Sequence, residues 1–99
     1  MRSKNTMDEM YASASDAAMD LVRSMSDFWI QRTSPFTSDF AATESFAVTC
    51  DKVSGMFPDA DLAVVRSAVR SGFCSALEVE KARRHRDGKW DPYGPSAND

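Results

Sequence analysis

Seven cations crowd the last third of this chain: Arg66, Arg70, Lys81, Arg83, Arg84, Arg86 and Lys89. On a helix at about 100° per residue, Arg66, Arg70, Lys81 and Arg84 share an arc of roughly 60°. Arg83, Arg86 and Lys89 add charge farther on. Such a strip could follow a phosphate backbone, with Trp90 and Tyr93 as stacking surfaces for bases. The opposite chemistry sits near the start. Glu9, Asp16, Asp20 and Asp27 fall on one side of a helix, interrupted by Arg23. Asp16 and Asp20 are like charges at i,i+4, which mildly destabilises an isolated helix. The row reads either as a solvated face, paired within the fold with Arg66 and Arg70, or as a docking surface for a basic groove.

Catalytic chemistry finds little to work with. The single histidine, His85, lies between Arg84 and Arg86, neither of which can orient it as a base. No nucleophile elbow, P-loop or glycine-rich phosphate turn is present. Cys50 and Cys74, 24 residues apart with one histidine, do not make a four-ligand metal set. Cys50 falls on a core face and reads as a small buried hydrophobe. No enzyme, metal or cofactor is expected.

The elements that would position these groups are helical. Thr6-Met-Asp-Glu9 matches a capping box, and Met7, Met10 or Tyr11, Ala14, Ala18, Leu21, Met25 and Phe28 follow at three- and four-residue intervals. This spacing predicts a first helix over about 6–31, with an alanine-lined seam that a neighbour could approach closely. Pro35 ends it, because the residue before proline is driven out of the helical region. Thr37 or Ser38 can cap a second helix over about 38–54, with Phe46, Cys50 and Val53 on one side and Gly55 as its stop.

A third helix is expected over about 59–86, capped by Asp59. Leu62, Val65, Val69, Phe73, Ala76 and Leu77 fall within roughly one third of its circumference. Beyond Leu77 the stripe fails, since Glu80 and Arg83 stand where apolar residues should follow, so the helix is expected to leave the core there. Gly72, costly inside a helix by about 1 kcal/mol, points to a close crossing. A helix-turn-helix with Gly72 in its turn is disfavoured, because Glu78 and Lys81 occupy positions that would need apolar residues. Residues 87–99, with Trp90, Pro92, Tyr93 and Pro95, form a turn-rich tail. Trp90 and Tyr93 there either fold back over the bundle end or stay exposed as anchors for a partner.

The prediction is one all-α domain over 1–99, a small three-helix bundle with a basic, turn-rich C-terminal tail. Residues 1–65 carry a charge of −5 and residues 66–99 a charge of +2, an acidic body with a basic end. No segment approaches the ~18 apolar residues of a membrane span. The N-terminus has no apolar run that would make a secretory signal, which places the chain in the cytoplasm with reduced thiols. These features predict a non-enzymatic module that binds another protein stoichiometrically. Short acidic helical chains without catalytic motifs are common among phage- and plasmid-encoded inhibitors of host machinery, anti-CRISPR proteins included. The thin core also suits a homodimer sharing the helix-one seam. The alternative is a small nucleic-acid-binding or regulatory protein using the basic strip.

Overall fold

A computed structural model describes residues 2–35 and 43–91, with side chains from Met7 onward. Among the described residues the chain is all-α: α1 (Arg2–Val22), α2 (Asp27–Arg32), α3 (Glu44–Met56) and α4 (Leu62–Asp87). Helix α1 begins ahead of the expected capping box, so Thr6 lies inside it and not at its cap.

The expected first helix is broken. After Val22 the chain turns through Arg23–Ser26, where the Ser24 hydroxyl donates to the Leu21 carbonyl at 2.7 Å. Met25 N–H donates back to Val22 at 3.0 Å. A serine hydroxyl offers a helix-end carbonyl another donor, and two serines in three residues let the helix end here. Ser26 then restarts the helix as the cap of α2, accepting from Trp29 N–H.

Helix α3 starts later than predicted. Thr43 has extended backbone and its hydroxyl accepts from Phe46 N–H at 3.3 Å. The predicted caps Thr37 and Ser38 lie outside the described residues. Gly55 does not stop the helix, which runs through it to Met56. The cap of α4 is Asp61 rather than Asp59, with its carboxylate accepting from Ala63 N–H at 2.8 Å. At the far end Gly88 takes the left-handed conformation (φ 75°) that only glycine adopts cheaply.

Helix α4 is the centre of the bundle, packed against both α1 and α3. Its buried face is therefore wider than one stripe and includes Ala68 and Gly72 beside Val65, Val69, Phe73, Ala76 and Leu77. Gly72 lies directly on the α1 backbone. A Cβ there would sit 2.8 Å from the Ala14 carbonyl carbon and 2.9 Å from Ser15 N, so only glycine permits this approach. The predicted alanine seam supplies the other half, with Ala14 and Ala18 fully buried. Contacts advance together along the two helices, from Gly72 on Ala14 to Arg84 on Arg23 and Asp27. The two long helices thus run the same way, and α3 returns between them in sequence.

Both stripes overrun the bundle at its lower end. Leu62, which heads the stripe of α4, is 61% exposed, and Met7, which heads the seam of α1, is 40% exposed. No described helix is long and apolar enough to cross a membrane.

Candidate interaction surfaces

The C-terminal turns of α4 reverse one expectation. Glu80 does not carry the helix into solvent; it is 1% exposed. Its position continues the apolar stripe, and its charge is met by the residues one turn later. Arg83 Nε donates to Glu80 Oε1 at 3.1 Å, its Nη2 donates to Oε2, and Arg84 Nε donates to Oε2 at 2.8 Å. The Arg83 hydrogen bonds, reinforced by Arg84 and opposed by burial, hold the Glu80 carboxyl down to about 2. Arg83 also reaches Asp87 at 3.1 Å.

Arg84 carries the network across the bundle. Its Nη1 donates to Asp27 Oδ1 at 2.6 Å and its Nη2 to the Arg23 carbonyl at 3.3 Å. The second Asp27 oxygen accepts from the Asp91 backbone N–H at 2.9 Å. Burial pushes the Asp27 carboxyl up, but the Asp91 N–H and Arg84 outweigh it and leave the group below its ordinary value. The result is a clasp joining the break after α1, the end of α4 and the segment beyond it. Trp90 folds back onto the core, its ring centroid 5.0 Å from that of His85.

The structure thus sorts the residues singled out from sequence. Asp27, proposed for partner binding, and Arg84, proposed for nucleic acid, are bound to each other. Arg83 is neutralised by Glu80 and Asp87, and Trp90 is half-buried. Tyr93 lies outside the described residues. Arg86 and Lys89 are exposed and Lys81 is half-buried, and among the described residues none of the three enters an ion pair. The basic strip of α4 is therefore interrupted at Arg83 and Arg84.

Among the described residues, two charged surfaces enter no ion pair. Glu9, Asp16 and Asp20 are exposed on the side of α1 opposite Ala14, Ala18 and Val22. They do not pair with Arg66 and Arg70, and among the described residues they enter no ion pair. Arg66 and Arg70 instead lie over the Phe46 ring of α3, at 5.1 and 5.7 Å from its centroid.

The sequence reading passed over Trp29, which is 58% exposed on α2 and meets the Phe28 ring edge-on at 5.2 Å. Its signal was hidden by the assumption of one continuous helix. Cys50 is buried, with its thiol pushed up by that burial, and both cysteines are free. Among the described residues no group of three histidine, cysteine or acidic side chains could hold a metal ion. No protein-family model, curated protein or solved structure matches this chain.

Proposed function

We propose that this chain is a non-enzymatic, protein-binding module that acts stoichiometrically, as an inhibitor, adaptor or accessory subunit. The observation that carries this reading is the outward row Glu9, Asp16 and Asp20 on α1. The fold neutralises Glu80, Asp27 and Asp87 with arginines, yet leaves this row without an ion pair among the described residues. Asp16 and Asp20 repel each other one turn apart, and a basic surface on another protein would relieve that repulsion. Charge of this kind steers encounter and selects the partner more than it adds affinity. Inhibitors of host machinery encoded by phages and plasmids fit this size and chemistry, as do small adaptors.

Nucleic-acid binding is the second reading. It is weakened by the internal pairing of Arg83 and Arg84, which leaves no continuous cationic strip along α4.

Capture of a partner from nuclease-treated lysate by tagged protein tests the proposal. The double variant Asp16→Lys, Asp20→Lys should reduce that capture by about tenfold while leaving helical circular dichroism unchanged, because the row is exposed. Undiminished capture by a folded double variant removes the α1 row from the account. Capture that disappears with nuclease moves the reading to nucleic acid.

A further inference from the structure

We infer that Arg66 and Arg70 form a second docking surface, of opposite sign to the α1 row, for an acidic α-helical segment of another protein. Among the described residues neither arginine has a carboxylate partner, although the arginines at the other end of the same helix have three. Their guanidinium groups are held over Phe46, which is 1% exposed and fixed in the core. An arginine supported on an aromatic face loses less conformational freedom when it meets an anion than one that starts free in solvent.

The neighbouring surface admits a helix. Shallow depressions run along α4 beside the pair, one lined by Ala63, Arg66, Ser67 and Arg70, the next by Ser67, Arg70, Ser71, Cys74 and Ser75. Small side chains there leave room for close approach, as the Gly72 face does for α1. The two arginines are one turn apart, a rise of about 6 Å, which matches carboxylates at i,i+4 on a facing helix.

A nucleic acid fits the surface less well. Glu78 stands exposed farther along the same outward face. Arg83 and Arg84 are already neutralised, so a phosphate backbone would meet Arg66 and Arg70, then Glu78, and beyond it on the same arc only Lys81.

The probe is a fluorescein-labelled helical peptide with glutamates at i,i+4 spacing, titrated against the full chain and read by anisotropy. A labelled DNA duplex of similar charge is titrated in parallel. The peptide should bind, and Arg66→Glu, Arg70→Glu should weaken it by at least about tenfold. Backbone amide shifts in the unsubstituted protein should map the peptide to Ser67, Ser71 and Cys74, independent of how any variant folds. Asp16→Lys, Asp20→Lys should leave peptide binding in place, which separates this surface from the α1 row. Peptide binding that survives the reversal in a folded variant overturns the inference. So does an absence of binding to the unsubstituted chain, or a duplex that binds the same arginines more tightly than the peptide.

Discussion

Helix α4 carries two pairs of arginines with opposite fates. Arg83 and Arg84 are closed into carboxylates, through Glu80 below them and Asp27 across the bundle. Arg66 and Arg70 lie on an aromatic ring, which holds their position and leaves their charge available. Local sequence makes part of the difference: Glu80 and Asp87 lie one turn from the Arg83 and Arg84 pair, and no acid lies one turn from Arg66 or Arg70. The packing of α4 makes the rest, since it brings Asp27 of α2 to Arg84 and no acid of a described neighbour to the other pair. A cation on a helix face becomes structural or available according to what its own helix places one turn away and what a neighbouring helix presents opposite it.

That packing rests on Gly72, so the largest effect should come from filling it. Gly72→Val places side-chain atoms into the backbone of Ala14 and Ser15, which cannot move aside as a flexible side chain would. Helices α1 and α4 must separate, uncovering Ala14 and Ala18 and drawing Asp27 away from Arg84. Urea denaturation should show a loss of about 3 kcal/mol or more, or no folded protein. Gly55→Ala is the control, since nothing lies within 4 Å of its added Cβ. It should stabilise α3 by up to about 1 kcal/mol. Near-equal midpoints for the two variants would show that the crossing does not set the register.

The clasp itself should matter next. Glu80→Gln keeps the shape of the side chain but leaves Arg84 in a largely buried site without one of its two carboxylates. The expected cost is about 2 kcal/mol, below that of a fully buried pair because Arg83 stays half in solvent. The pH dependence follows from the same group. Glu80 titrates at about 2 in the fold against an ordinary 4.5, so its stabilisation is complete above about pH 4.5. It is lost as pH falls through about 2. Glu80→Gln should therefore flatten the acid limb of the stability curve, leaving the smaller slope that Asp27, shifted in the same direction, contributes. An acid limb identical in both proteins would mean that Glu80 is not held by the arginines.

Periodicity made much of the fold legible. The stripe of α4, the alanine seam of α1 and the crossing at Gly72 are local patterns, and each packs as its spacing requires. Leu62 departs from its stripe because α4 starts there, beyond the cover of its neighbours. The break after Val22 was not legible from a heptad-like seam, because the seam continues in register through Met25 and Phe28 while the serines compete for the backbone. Glu80 misled for a different reason. A charge in an apolar stripe normally signals exit from the core, and only Arg83 and Arg84 at i+3 and i+4 hint otherwise. Its indirect partner Asp27 lies far away in sequence, where no helical wheel can find it. The candidate surfaces were therefore half legible: residue types could nominate Asp27 and Arg84, but only their meeting removes them from the exposed charge.

The smallest expected effect is the sharpest test of the contrast between the arginine pairs. If Arg66 and Arg70 are held for a partner and not for the fold, removing both should barely change stability. Each gives up a cation–π contact with Phe46, long at 5.1 and 5.7 Å and worth about 0.5 kcal/mol, the lower end for cations that reach solvent. Each also escapes repulsion from the other one turn away. Phe46 keeps its place because its ring is buried in the core through contacts the arginines do not supply. Arg66→Ala, Arg70→Ala should then shift the urea midpoint by no more than a surface substitution does, within about 0.5 kcal/mol, while lowering affinity for the acidic helical peptide. A loss of about 2 kcal/mol would instead make the pair as structural as Arg83 and Arg84, and the available positive charge of α4 would reduce to Lys81 and the exposed residues after it.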